Sequence, residues 1–270
     1  MASQLIAAFG SVLLSGLGSA HAAEAGALWG YIDSSGRATL PAQFEFARGF
    51  SEGLAAVQAG GAWGFIDRGG RYAIVAAYED AWSFSEGLAA VRVRGKWGFI
   101  DDAGVFRIAP SYDDAGGFSE GLARVKLGGK WGYCGKDGKL RIPAVFASAH
   151  GFSDGLAAAR EGGLFGYVDA SGRWAIAPRF EEAYGFSGGL ARAKDGGRWG
   201  FLDTRGRWVI TPRFDNAGGF ASGLAPVRVD GKWGFIDTRS NSRIEPRFDN
   251  TYGFSVGLAP VESGGRWGYI

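Results

Sequence analysis

The sequence predicts an all-β fold built from a 34-residue unit that is repeated about seven and a half times. Three observations support this prediction. Each unit contains about six glycines, and its apolar residues alternate with period two, which is typical of half-buried strands. An aromatic residue followed by glycine recurs every 34 residues, at Trp29, Trp63, Trp97, Trp131, Phe165, Trp199, Trp233 and Trp267.

Two further positions keep the same period. A phenylalanine followed by a Gly-Leu-Ala segment recurs from Phe50 to Phe254, and an aliphatic residue recurs from Leu40 to Ile244. No insertion or deletion interrupts the period, although loops normally tolerate insertions at little cost in free energy. We therefore expect each connection to be held by the neighbouring units.

Helical hairpins of the tetratricopeptide type share this period of 34 residues, so the helical alternative has to be tested. A glycine in a helix interior costs about 1 kcal/mol relative to alanine. Each unit contains about six glycines and no apolar stripe of helical spacing. The sequence therefore excludes the helical alternative.

One unit is predicted as a three-stranded antiparallel meander, whose strands we name c, a and b in chain order. In strand c, as in residues 122–127, apolar side chains alternate with Arg124 and Lys126. A Gly-Gly turn leads into strand a, which carries the aromatic-Gly pair. An Asp-x-x-Gly turn such as 203–206 leads into strand b, as in 207–210. A proline ends strand b because it cannot donate a ladder hydrogen bond.

This pattern resembles the WG (or KWG) repeat family. Residues 231–237, GKWGFID, and residues 118–123, FSEGLA, match the family's signature, and the resemblance extends over residues 29–270. It implies repeated β-structure, mostly in bacterial proteins, and no established enzymatic activity. Two units depart from the pattern: Phe165 replaces tryptophan, and Cys134-Gly135 replaces Ile-Asp, which leaves the turn after Tyr133 less clearly predicted.

The units are expected to stack as a single array over residues 23–270, with the eight aromatic-Gly aromatics as the structural core. Two arrangements fit: an open, solenoid-like array, or a closed, propeller-like toroid. The given sequence starts and ends its repeats on strand a, at Trp29 and Trp267, so strand a is duplicated. This duplication favours the open array.

Residues 1–22 are predicted to be a secretory signal peptide. Residues 5–14 form an apolar segment that is too short for a membrane span, and Ala20-His21-Ala22 fits a small-x-small cleavage site. The residues before the apolar segment carry no Lys or Arg, so an uncleaved anchor remains the alternative. We expect an exported protein, periplasmic or secreted, with Ala23 as its mature N-terminus.

The composition argues against catalysis. Beyond residue 23 the chain has one histidine, His150, and one cysteine, Cys134, so catalytic dyads built on histidine and zinc sites are excluded. No phosphate-binding or calcium-binding motif is present. We therefore predict no enzymatic activity, no cofactor and no metal. Cys134 occupies an isoleucine position of other units, which favours a buried apolar role over a reactive thiol.

Three sets of aligned positions are candidates for binding. The first basic column lies on strand c and consists of Arg92, Lys126, Arg160, Lys194 and Arg228. The second basic column precedes the aromatic-Gly pair and consists of Lys96, Lys130, Arg198, Lys232 and Arg266. The variable column precedes the recurring phenylalanine and consists of Arg48, Trp82, Gly116, His150, Tyr184, Gly218 and Tyr252.

The basic columns form either a solvated strand face or a multivalent site for an anionic polymer. Neutralisation by acidic linker residues such as Asp113 and Asp249 would exclude the polymer site. The variable column differs in size and polarity from unit to unit, which suggests exposed contact residues. The function predicted first is a protein-protein interaction scaffold. The alternative is a binder of anionic cell-envelope polysaccharide. A net charge of +2 gives no reason to expect nucleic acid as a partner.

Overall fold

The computed structural model describes residues 5–8, 28–33, 35–255 and 257–270. These residues form strands and turns, and no helix occurs among them. The chain divides into two compact units, residues 1–129 with 133–140, and residues 130–132 with 141–270. We describe each unit by itself.

The first unit contains three antiparallel sheets whose strands follow one another in chain order. The first sheet is β1–β3, the second β4–β7 and the third β8–β11. The bounds are β1 Leu5–Ala8, β2 Trp29–Ile32, β3 Ala38–Phe44, β4 Phe46–Ala47, β5 Ala55–Ala59, β6 Ala62–Ile66, β7 Tyr72–Tyr78, β8 Asp80–Ala81, β9 Ala89–Val93, β10 Lys96–Ile100 and β11 Phe106–Tyr112.

The division between the units falls within one repeat and passes through β14 and β15. The strands of this repeat are β12 Asp114–Ser119, β13 Leu122–Leu127, β14 Lys130–Cys134 and β15 Leu140–Phe146. β12 pairs antiparallel with β13 inside the first unit.

The second unit continues the same pattern with the sheets β16–β19, β20–β23, β24–β27 and β28–β30. The bounds are β16 Ser148–Ala149, β17 Leu156–Glu161, β18 Leu164–Asp169, β19 Trp174–Phe180, β20 Glu182–Ser187, β21 Leu190–Asp195, β22 Arg198–Asp203, β23 Trp208–Phe214, β24 Asn216–Ala217, β25 Leu224–Val229, β26 Lys232–Asp237, β27 Ser242–Phe248, β28 Asn250–Thr251, β29 Pro260–Ser263 and β30 Arg266–Tyr269.

The predicted meander c-a-b is confirmed, and the structure adds a fourth strand to it. This linker strand is as short as two residues in β8 and pairs with strand c, so the sheet containing it runs β8-β9-β10-β11. The sequence led us to expect an irregular linker here, because two strand residues are too few to show an alternating pattern.

At the N-terminal end, β1 pairs with β2 in the register that strand c uses elsewhere. Leu5 lies opposite Ile32, as Ala55 lies opposite Ile66 in the next sheet. Residues 5–8 fall inside the predicted signal peptide. The predicted cleavage site at 20–22 lies outside the described residues.

In the repeats that contain a strand b, the glycine of the aromatic-Gly pair sits where strand b bulges against strand a. In the pairing of β10 with β11, Trp97 lies opposite Tyr112 and Phe99 opposite Ile108, so three residues of β11 lie opposite the single residue Gly98. A Cβ atom at Gly98 would lie 2.6 Å from the Ile108 carbonyl oxygen. Only glycine leaves room for so close an approach of two backbones.

Neighbouring repeats are connected through their Phe-Ser-Glu-Gly segments. The Ser51 hydroxyl donates to the carbonyl oxygen of Phe84 at 2.7 Å, and Phe84 is the recurring phenylalanine of the next repeat. The Glu52 carboxylate accepts the Gly87 N–H at 2.9 Å. In the second unit the Ser187 hydroxyl likewise donates to Phe220, at 2.8 Å. These fixed contacts explain why the connections tolerate no insertion.

The aliphatic position of strand b also contributes to stacking. A Cβ atom at Gly138, in the turn between strands a and b, would lie 3.0 Å from Ile108 of the preceding repeat. Gly172 stands in the same relation to Ile142 in the second unit. Glycine is therefore needed in this turn because a side chain would crowd the preceding repeat. It is also needed for the backbone conformation, because φ is +74° at Gly138.

The turn after Tyr133 keeps the geometry of the others despite its different sequence. The Gly135 N–H donates to Lys139 O at 3.0 Å, as the Asp101 N–H donates to Val105 O at 3.0 Å. Asp137 replaces the missing turn carboxylate, since it accepts the Lys139 N–H at 3.1 Å. The departure Cys134-Gly135 therefore does not disturb the repeat.

Candidate functional site

The aromatic residues of the aromatic-Gly pairs differ in burial along the chain. Trp63, Trp97, Phe165 and Trp199 are buried, whereas Trp29, Trp131 and Trp233 are half-buried. Trp267 is 49 % exposed, so its assignment to the core is wrong. In the other repeats strand b covers this position by pairing with strand a, and no strand b follows β30 in the given sequence.

The first basic column lies opposite the aromatic-Gly residues on the c-a hairpins. Arg92 pairs in register with Trp97, and Lys194 with Trp199. Arg92 lies 3.5 Å from the Glu79 carboxylate, and Lys194 lies 3.3 Å from the Glu182 carboxylate. Other members are engaged differently: the Arg160 guanidinium stacks on the Phe165 ring at 5.4 Å, and Lys126 lies opposite Asp114 in the β12-β13 register. Arg228 is exposed.

Three residues of the second basic column form ion pairs with acidic residues of the linkers. Lys96 lies 2.6 Å from Asp113, and Lys232 lies 2.6 Å from Asp249. Hydrogen bonding to the ammonium group lowers the pKa of both carboxyl groups. Arg198 forms the equivalent ion pair with Asp215. These ion pairs neutralise the positive charges of Lys96, Arg198 and Lys232. The sequence alone did not determine whether the linker carboxylates would do so.

The variable column is less exposed than its variability suggested. Arg48, Trp82, His150 and Tyr184 are half-buried, and Tyr252 is the exception at 45 % exposed. The backbone N–H groups of Arg48, Trp82, His150 and Tyr252 donate to carbonyl oxygens of strand c; Trp82 donates to Ala90 at 2.9 Å. The column therefore packs against strand c, and variation alone was a misleading sign of exposure.

The facing residue on strand c accounts for part of the variation in the variable column. Arg48, Trp82 and His150 face alanines of strand c, such as Ala90 opposite Trp82. Tyr184 differs, because it packs against Arg192. Where the column has glycine, strand c has a larger residue, and a Cβ atom at Gly116 would lie 2.6 Å from the Arg124 Nε. At Gly218 it would lie 2.5 Å from the Pro226 Cγ. At these two glycine positions the facing residue fills the space that a side chain of the column would occupy.

The variable column takes part in an arginine-aromatic stack in each of the two compact units of the chain. In the first unit the Arg48 guanidinium lies 4.2 Å from the Trp82 ring and 5.1 Å from the Trp63 ring. Arg48 is held there by a hydrogen bond of 2.9 Å from its Nε to the Ala81 carbonyl oxygen. A guanidinium at this distance from a ring face is attracted by the ring's negative electrostatic potential.

In the second unit the arginine comes from strand c. The Arg192 guanidinium lies 3.9 Å from the Tyr184 ring and 5.5 Å from the Trp199 ring, and it also donates to the Ala217 carbonyl oxygen. His150 also contacts this stack, with 5.2 Å between the centroids of its ring and that of Tyr184. Sequence reasoning missed Arg192. Reading strand c jointly with the variable column would have identified it.

Groups for metal or redox chemistry are not clustered in the described part of the chain. No set of three His, Cys, Asp or Glu side chains there is arranged to hold a metal ion. Cys134 is fully buried, and burial raises the pKa of its thiol to about 11. Among the described residues no helix is long and apolar enough to cross a membrane.

Cys134 is expected to react slowly with thiol reagents in the folded protein. At neutral pH its raised pKa lowers the thiolate fraction about a hundredfold relative to a free cysteine, and burial blocks access as well. The effect is measured by comparing the rate at which a maleimide modifies Cys134 in the native protein with the rate in the denatured protein. A native rate equal to that of a small thiol would contradict it.

Comparisons with known proteins identify the repeats. A family model described as WG containing repeat matches residues 29–61, 63–97, 97–131, 131–165, 165–199, 199–233 and 233–267. No curated protein matches the chain.

Similar solved structures share the fold alone. A eukaryotic initiation factor superposes with a TM-score of 0.60 at 12 % identity, over 97 % of this chain and 78 % of that chain. The dihydro-heme d1 dehydrogenase NirN, in complex with DHE, superposes with a TM-score of 0.54 at 13 % identity, over 86 % of this chain and 65 % of that chain.

Proposed function

The chain belongs to the WG containing repeat family, and from this membership we propose that it is a non-catalytic, exported scaffold that mediates protein-protein interaction. The observation that carries the proposal is the half-exposed arginine-aromatic stack of the variable column. It occurs as Arg48 with Trp82 in the first unit and as Arg192 with Tyr184 in the second. Arginine, tryptophan and tyrosine dominate the binding energy of protein interfaces.

The stacks offer preorganised contact groups. Arg48 is fixed by its bond to Ala81, and Arg192 by its bond to Ala217, so a partner would not have to order these long side chains. Ordering a flexible side chain costs about 0.5–1.5 kcal/mol on binding. At the C-terminal end, Tyr252 and Trp267 stack at 5.4 Å between ring centroids and add further exposed aromatic surface.

The alternative, a binder of anionic cell-envelope polysaccharide, has less support. Several basic side chains that would form its site already have carboxylate partners, such as Asp113 for Lys96 and Asp249 for Lys232. An anionic polymer would have to displace those carboxylates. Exposed ion pairs contribute only about 0–1 kcal/mol each, so the gain from such an exchange is small.

The proposal of a non-catalytic role rests on composition. The described residues contain a single histidine, His150, whose ring is packed between Phe165 and Tyr184 at centroid distances of 6.0 Å and 5.2 Å. Cys134 is buried. The burial of Cys134 and the ring packing of His150 support a structural role for both residues.

Export is the part of the proposal that rests on the N-terminal sequence. Expression of the whole chain with its own N-terminus is expected to give a mature product that begins at Ala23, as measured by intact mass of the exported fraction. A cytoplasmic product that retains Met1 would refute export, and an exported product of full mass would indicate an uncleaved anchor.

Binding is tested by comparing two sets of variants against a cell-envelope protein extract and an anionic polysaccharide panel, at low and high salt. A protein ligand is expected to bind with little salt dependence and to be lost in Trp82→Ala with Tyr184→Ala. Phe106→Ala, which removes a more exposed aromatic outside the column, is the control and is expected to bind normally. Salt-sensitive binding to polysaccharide that disappears when Lys126, Arg160 and Lys194 are replaced by glutamate would establish the alternative instead.

A further inference from the structure

Strand b forms the edge of its sheet, and edge strands can pair with strands of other molecules. Six of the seven strands b contain a proline. In four of them it lies two residues after the aliphatic position, at Pro110, Pro178, Pro212 and Pro246, and in the other two one residue after it, at Pro41 and Pro143. The exception is β7, with the sequence YAIVAAY.

The proline-bearing strands show which amide groups the sheet does not need. The positions of these prolines correspond to Val75 and Ala76 in β7. Other repeats form the same bulged pairing of strands a and b although they have proline at one or the other of these positions. The N–H groups of Val75 and Ala76 are therefore not required for pairing with strand a. β7 alone keeps both donors, and no strand lies beyond it in its sheet among the described residues.

β7 also lacks the charges that protect other edges. Five of the strands b carry at least one arginine, whereas β7 is entirely uncharged. Val75 is 73 % exposed, the highest value among the exposed large hydrophobic residues of the described chain. Tyr72 is 42 % exposed. An apolar edge without charge or proline is the kind that natural proteins otherwise avoid.

The sequence of β7 is self-complementary about Val75. In an antiparallel pairing of two copies centred on this residue, Tyr72 lies opposite Tyr78, Ala73 opposite Ala77 and Val75 opposite Val75. The flanking residues Arg71 and Glu79 then lie opposite each other, so no like charges meet. Such a pairing has two-fold symmetry, which is the commonest symmetry of soluble dimers.

We propose that β7 is a homodimerisation edge, at which a second copy of this chain adds its own β7 in antiparallel register about Val75. Ladder hydrogen bonds supply the affinity, and the small Ala73, Val75 and Ala77 side chains allow the strands to approach closely. A single strand pair buries less than the roughly 1,000 Å² of a stable interface. The dimer is therefore weak and reversible.

Sedimentation velocity over a wide concentration range tests this inference with the full chain. The wild type is expected to show a reversible monomer-dimer equilibrium. Val75→Pro reproduces a proline that other repeats accommodate at this position, so the fold is retained. Dimerisation is expected to weaken at least about tenfold, because the substitution removes one ladder donor from each of the two copies. Val75→Thr keeps the N–H and the branched shape and is the matched control, with dimerisation near that of the wild type. A monomer at all concentrations, or a dimer unchanged in Val75→Pro, would overturn the proposal.

The register is tested by cysteine cross-linking in a Cys134→Ser background, which leaves no other thiol. Val75→Cys places two thiols opposite each other at the symmetry axis, within disulfide distance, and is expected to give a covalent dimer with oxidised glutathione. Thr211→Cys occupies the equivalent exposed position of β23, next to Pro212, and is expected to stay monomeric. Equal cross-linking of the two variants would reflect random collision and would overturn the register.

Discussion

Replacing Trp97 by alanine is expected to lower the free energy of unfolding by about 3–5 kcal/mol. Trp97 is 6 % exposed and packs in a buried cluster with Phe99, Ile108 and Tyr112. Truncation removes the ring from this cluster and leaves a cavity that the bulged β11 cannot easily fill, because its register is fixed on both sides of Gly98. Denaturant unfolding, followed by circular dichroism, measures the loss.

Trp267→Ala is the matched control, because it changes the same motif position in a different environment. Trp267 is 49 % exposed and has Tyr252 as its stacking partner. Its truncation is expected to cost about 1 kcal/mol or less, the contribution of one exposed aromatic pair. Similar losses for the two variants would contradict the assignment of Trp97 to the core.

Gly98→Ala is expected to destabilise the protein by about 3 kcal/mol, although it adds a single methyl group. The new Cβ would lie 2.6 Å from Ile108 O and 2.7 Å from Pro110 N. Both neighbours are backbone atoms, which cannot change rotamer, so β10 and β11 would have to separate. The loss of stability and the change in strand content are measured by denaturant unfolding and circular dichroism.

Gly268→Ala makes the same change in the same motif and is expected to be nearly neutral. A Cβ atom at Gly268 would have no heavy atom within 4 Å. Glycine has no advantage here beyond its backbone freedom, so the effect is expected to stay within about 0.5 kcal/mol. A large effect at Gly268, or none at Gly98, would show that the conserved spacing reflects something other than close backbone approach.

The candidate site illustrates where pattern analysis of one column misleads. His150 and Tyr184 differ from Trp82 at the same position, and that difference suggested exposure. The structure places all three half-buried against strand c, with Arg192 stacked on Tyr184. At Gly116 and Gly218 the facing residues Arg124 and Pro226 fill the space next to the column, so glycine there reflects packing and not exposure.

The sequence by itself determined the all-β class, the order c-a-b and the repeat length, since these follow from local alternation, glycine turns and a period that nothing interrupts. It also indicated a buried role for most aromatic-Gly residues. The tertiary structure decided which basic side chains meet carboxylates, such as Lys96 with Asp113, 17 residues apart. It also decided that Trp267 is exposed and that Arg48 lies on Trp82, 34 residues away. These properties depend on distances between residues remote in the chain, and a repeating pattern is the same in every unit whether or not a neighbouring strand covers it.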